Sequence, residues 1–124
     1  MTIRLFMLII FSVSLSAIAQ IALKTGMSSP RIQSAIQNAP GIDLVWDIAT
    51  NWFVIFGLAL YFFGALVWLL VLARVDVTMA YPFVGLGFIL TMILGAWFLS
   101  EPVSAIRIVG TLLVVAGVAL ISRS

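Results

Sequence analysis

The chain has 124 residues, 65% of them hydrophobic and 8% charged, and a mean hydropathy of +1.32. A water-soluble domain of this size has too much surface for its volume to hide so much apolar side chain, so its solvent is a bilayer. The net charge of +2 rests on six scattered basic residues, which is no nucleic-acid patch, and the lack of cysteine and histidine excludes disulfides and argues against zinc sites and the usual catalytic triads.

Residues 3–23 form the first expected spanning helix, with Arg4 at its start. The basic start, the apolar run 5–11 and the Ala17-Ile18-Ala19 triplet before Gln20 also fit a secretory signal peptide. The apolar run continues through Ile21, Ala22 and Leu23, and so the segment is expected to be retained as a helix. Ser12, Ser16, Gln20 and Lys24 recur every four residues and trace a shallow polar spiral along one side of it. Serines so placed commonly make interhelical hydrogen bonds, whereas a glutamine amide is dearer to bury and suits a cavity. Lys24 suits either the same site or a snorkelling position at the headgroups.

Residues 25–51 are the longest polar interval, broken at Ser28-Ser29-Pro30 and at Asn38-Ala39-Pro40-Gly41. Ile32, Ala35, Ile36 and Ala39 keep helical spacing opposite Arg31, Gln33, Gln37 and Asn38, which predicts a short interfacial helix. A second helical piece follows at the membrane surface, with Trp46 and Trp52 suited to the aromatic belt. A lid over a substrate entrance is the functional alternative for this loop.

The second span is expected over 52–73, free of charge, with Gly57 and Gly64 seven residues apart on nearly one face. The short Arg74-Val75-Asp76 link makes the second and third spans antiparallel neighbours. The third span, 77–99, differs from plain lipid-facing sequence. Tyr81-Pro82 sits one turn inside its start, Gly85, Gly87 and Gly95 thin it, and Glu101-Pro102 follows its end. Proline frees a carbonyl that must find another partner in lipid, and the glycines let a backbone or a ligand come close. The fourth span, 106–121, repeats the seven-residue spacing at Gly110 and Gly117, a face suited to close helix packing within one chain or between two. The basic residues divide evenly between the two sides, with Arg4, Arg74 and Arg123 on one and Lys24, Arg31 and Arg107 on the other. The positive-inside rule therefore expresses no preference.

These motifs in this order resemble the drug/metabolite transporter superfamily. The Glu101-Pro102-Val103-Ser104 turn followed by Gly110 and Ala116-Gly117-Val118 looks like the closing pattern of its EamA-like and small-multidrug-resistance branches. Residues 68–72, Ala80-Tyr81-Pro82, Trp97-Phe98 and Ala19-Gln20 with Lys24 are similar to the four-helix flippase subunits for aminoarabinose-phosphoundecaprenol. The small multidrug exporters carry a glutamate in the first helix where this chain has Ser16, and all four acids here lie in connections or at helix ends. Proton-coupled export of lipophilic cations needs an acid in the membrane, so that activity is not expected.

The sequence therefore predicts an all-α membrane protein, a small bundle of four transmembrane helices in one domain with a long first loop. The resemblance implies a transporter subunit, not an enzyme and without metal or cofactor, in the bacterial inner membrane. It would flip a polyprenyl-phosphate-linked sugar or similar lipid, as a homodimer or with a second four-helix subunit. Ser12, Ser16, Gln20, Lys24 and Tyr81 are the candidate substrate-binding residues, and Gly110 and Gly117 the candidate dimer contact. The alternatives are an EamA-like exporter of a small neutral or zwitterionic metabolite and a non-transporting structural subunit.

Overall fold

Glycine decides where the first two spans meet. In the computed structural model, which describes residues 2–38 and 41–124, α1 (Ile3–Met27) and α4 (Trp52–Leu72) pack along a seam of close backbone approach. A Cβ on Gly57 would stand 2.8 Å from Leu23 Cγ and 3.1 Å from the Ala19 carbonyl oxygen. One on Gly64 would stand 3.3 Å from Leu15 Cβ and 3.5 Å from the Ser12 carbonyl oxygen. Rising numbers on α4 meet falling numbers on α1, so the two run antiparallel. With no hydrophobic effect to drive association between helices in lipid, such van der Waals contact is the main glue.

The helix α1 runs four residues beyond its expected end at Leu23. Asn51 explains the extension. Its side-chain oxygen caps α4 by accepting from the Val54 amide at 3.2 Å, while its amide nitrogen donates to the Gly26 carbonyl at 3.3 Å. One residue thus satisfies an orphan donor of α4 and adds a second donor to the Gly26 carbonyl at the end of α1, which also accepts from the Ser29 amide. At the opposite end of α1 the Thr2 hydroxyl caps the helix by accepting from the Leu5 amide.

The polar interval holds two short helices, α2 (Pro30–Asn38) and α3 (Ile42–Ala49). Ala39 and Pro40, part of the expected break between them, lie outside the described residues. The pair is joined by an ion pair, Arg31 Nε to Asp47 Oδ1 at 2.8 Å, and Ile32 is buried beneath α2. Ile42, Val45 and Trp46 keep most of their apolar surface exposed.

The third span is one stretch of 22 residues, Val77–Phe98, built from three pieces. A first turn, α5 (Val77–Ala80), leads into a 3₁₀ turn over Tyr81–Val84 and then α6 (Gly85–Phe98). Pro82 is the cause, since it has no N–H to give and crowds the turn before it, so the helix tightens locally. The tightened turn places the Phe83 ring in the core with Ile9, Val13, Val71, Ala80 and Val118, edge-on to Phe6 at 6.3 Å between centroids. Gly87 admits Val13, whose Cγ1 would lie 3.0 Å from a Cβ there. Phe6 meets Phe83 and Val13 meets Gly87, so α1 and α6 run parallel.

Just past the end of α6 comes Ser100, whose φ of 54° is left-handed and uncommon for a residue other than glycine. The last helix, α7 (Ala105–Ser122), is capped by the Ser104 hydroxyl, which accepts from the Arg107 amide at 3.2 Å. It leans on α6 through Val114 and Val118, which close over Gly85. Val118 is its one fully buried residue, and Ile106, Leu113 and Leu120 face outward. Contacts therefore run in a row, α4 to α1 to α6 to α7. The chain is a multi-pass membrane protein with four helical spans among the described residues.

Candidate functional site

A groove of about 950 Å³ opens on one side of this row, with walls from all four spans. Most of its wall is apolar, which matches the composition of the helices. The polar groups on it are few and form a ladder. Tyr81 stands near the end where α5 begins. Ser12, Ser16, Tyr61, Thr91 and Thr111 occupy the middle levels, and Gln20, Glu101 and Arg107 lie toward the α6–α7 connection.

The candidate residues divide by what their side chains already do. Ser12 is buried and its Oγ donates to the Gly64 carbonyl at 2.8 Å. That bond fills the gap left by a glycine on α4, so Ser12 holds the α1–α4 seam and shows the groove little more than its edge. Ser16 and Gln20 line the groove one and two turns further on. The Gln20 amide is exposed to the groove and has no hydrogen-bond partner among the described residues. Tyr81 also lines it, with 64% of its surface exposed. Lys24, one more turn along α1, is exposed and lies off the groove wall, because the four-residue spacing drifts around the helix and has carried it past the opening.

Gln20 and Tyr81 share the groove without meeting. Phe6 is level with Phe83, and fourteen residues of helix separate Phe6 from Gln20. At 1.5 Å per residue the two side chains stand roughly 20 Å apart along the bundle, too far to hydrogen-bond each other. They mark opposite ends of one path.

The glycines of α7 differ from those of α4. A Cβ on Gly110 or Gly117 would meet nothing within 4 Å. Gly110 lines the groove, and Gly117 lines a shallower depression beside Tyr81 and Phe88. Both are open to whatever covers that side of α7.

No protein-family model and no solved structure matches the chain. Curated proteins do. One from Pseudomonas fluorescens strain Pf0-1 is 38% identical over 93 residues, covering 72% of this chain and 79% of its own. One from Pseudomonas aeruginosa strain LESB58 is 33% identical over 117 residues, covering 94% and 96%. One from Pseudomonas savastanoi pv. phaseolicola strain 1448A is 36% identical over 109 residues, covering 88% and 89%. Each bears the name "Probable 4-amino-4-deoxy-L-arabinose-phosphoundecaprenol flippase subunit ArnE". The chain belongs to the ArnE flippase-subunit family.

Within this ArnE-family chain, several groove residues were invisible to sequence reasoning. Tyr61 and Thr91 sit singly inside apolar runs, and nothing in their spacing says which way they point. Thr111 is half spent, since its hydroxyl donates to the Arg107 carbonyl at 2.8 Å. Glu101 reads as a loop residue, yet it turns back onto the groove. Its Oε2 lies 3.3 Å from where a Cβ on Gly95 would stand. The signal that could have found it is Gly95 itself, a helix glycine one turn and a half before an acid.

Proposed function

We propose that the chain is one subunit of a transporter that moves a polyprenyl-phosphate-linked sugar between the leaflets of the bacterial inner membrane. The observation that carries this reading is the groove, a polar ladder on an apolar wall that runs along most of the span. An amphiphile's chains can stay in the bilayer while its headgroup passes along Tyr81, Thr91, Ser16 and Gln20. Each polar group replaces part of the hydration that the headgroup gives up on leaving water. The relatives, named as flippase subunits for a lipid-linked amino sugar, support the same substrate class. Ser16 stands in the groove where a proton-coupled cation exporter would need an acid, which favours a lipid substrate over lipophilic cations.

Vesicles made from membranes that hold the protein and its partner subunit test the reading. A fluorescent polyprenyl phosphosugar in the inner leaflet should reach the outer leaflet, where a membrane-impermeant quencher finds it. Gln20→Leu and Tyr81→Phe should each slow that transfer severalfold at normal protein level, since each removes one rung of the ladder worth about 1 kcal/mol. Transfer no faster than in vesicles lacking the protein would end the proposal. Full transfer in both variants would remove the two residues from the path.

The open side of α7 fits a second four-helix subunit, whether a second copy or a related chain. Gly110 and Gly117 leave space there that no side chain among the described residues fills. Replacing both glycines by leucine should weaken crosslinking between subunits in lipid while each chain stays folded. Unchanged crosslinking would place the contact elsewhere.

A further inference from the structure

Two groove-lining side chains carry full charge, Glu101 and Arg107, and their signs are opposite. Both sit at the same end, one in the α6–α7 connection and one in the first turn of α7. They do not neutralise each other. Among the described residues the ion pair within 4.0 Å is Arg31 with Asp47, at the outer helices. Glu101 bends back against Gly95, steered by the left-handed Ser100 and by its own amide, which donates to the Gly95 carbonyl at 3.2 Å. A positive φ at a serine is a conformation that the chain adopts at a cost. The Glu101 carboxylate makes no hydrogen bond among the described residues, although an ionised carboxylate has room for several donors. Arg107 gives Nη1 to the Pro102 carbonyl at 3.1 Å, which fixes the guanidinium and leaves most of its five N–H donors unused. A cation in the first turn of a helix also opposes the macrodipole, so helix stability is not what places it there.

We propose that Glu101 and Arg107 form a receptor of two signs for a zwitterionic headgroup, the carboxylate taking an ammonium and the guanidinium a phosphate. With no ion pair between them among the described residues, the two exposed charges on the wall of a mostly apolar groove can be met at once by a ligand of both signs. A headgroup with a phosphate alone satisfies Arg107 and leaves Glu101 facing it with nothing to accept. Guanidinium suits phosphate through its fork of donors, and a carboxylate suits an ammonium through short charge-assisted bonds. This inference rests on the transporter reading and adds what the groove selects.

The test compares two probes in native-membrane nanodiscs, which keep the partner subunit in place. One is a polyprenyl phosphate bearing 4-amino-4-deoxyarabinose, and the other is its N-acetyl derivative, which keeps the phosphate and loses the positive charge. The protein should bind the amine about tenfold more tightly, the worth of one charge-assisted contact. Glu101→Gln should bring the ratio of the two affinities near one. Arg107→Gln should weaken both about tenfold and keep the ratio. Should Glu101→Gln fail to fold, Gly95→Val crowds the carboxylate out of its place and should also shrink the ratio, whereas Glu101→Asp should keep it. Equal binding of the two probes by the unaltered protein, or a tenfold ratio that survives in Glu101→Gln or in a folded Gly95→Val, overturns the receptor and leaves the transporter reading standing. Binding of neither probe by the unaltered protein overturns both.

Discussion

Gly57→Leu should remove most of the folded protein from the membrane. The new side chain would be driven into Leu23 and toward the Ala19 carbonyl, and the latter is backbone that cannot rotate away. Overpacking of a close seam costs about 1–3 kcal/mol even where side chains can shift. Here α1 would have to move bodily, and α1 is the helix on which both α4 and α6 rest. Expression level and the detergent melting temperature, measured beside Gly110→Leu in the same chain, check the expectation. Gly110 has nothing within 4 Å of its would-be Cβ, so its leucine variant should stay folded. Ser12→Ala is a useful contrast on the same seam. It deletes the bond to Gly64 but leaves the glycine contact, and interhelical hydrogen bonds in membranes are worth only about 0.6 kcal/mol on average.

The second large effect is expected from Ala65→Trp. Ala65 is an exposed residue of α4 on the groove wall, one residue past the tight contact at Gly64. An indole there would project into the path between Ser16 and Thr91 without touching the α1–α4 seam. Lipid transfer should fall by tenfold or more, while protein level and subunit crosslinking stay near normal. A smaller loss for Ala65→Val than for Ala65→Trp would tie the effect to bulk. Equal losses for both would point to a helix defect instead.

These two variants also show what the sequence could and could not disclose. The four spans were legible because about 20 consecutive apolar residues leave few other readings, and the Pro82 disturbance was legible because proline lacks a donor. The glycine pairs were legible only as pairs. Gly57 with Gly64 and Gly110 with Gly117 have the same seven-residue spacing, yet the first pair is filled by α1 and the second is open. Spacing fixes a face and says nothing about which neighbour occupies it. The same limit hid Tyr61 and Thr91, whose polarity was plain and whose direction was not. The Gln20 and Tyr81 positions were recognisable because a glutamine or a proline-linked tyrosine stands out in an apolar run. Their separation along the groove needed the register of α1 against α6, set by contacts such as Phe6 with Phe83. Glu101 does lie in the connection where its place in the sequence puts it, but its turn back onto the groove was hidden, because a connection reads as solvent until a left-handed turn folds it back. The polar interval read correctly as helical pieces, but the Arg31–Asp47 pair that joins them spans the second breaker and leaves no local trace.

The measurement that bears most directly on the groove as a headgroup path uses the fact that the chain has no cysteine. Single cysteines placed at Gln20, Thr91 and Ala96 on the groove, and at Phe62 and Leu69 on outward-facing positions of α4, can be treated with a water-soluble maleimide in native-membrane nanodiscs. The groove positions should label, the outward positions should not, and a polyprenyl phosphosugar should protect the groove positions while a plain phospholipid does not. Groove positions as unreactive as Phe62 and Leu69, or labelling that the phosphosugar leaves unchanged, would contradict the account.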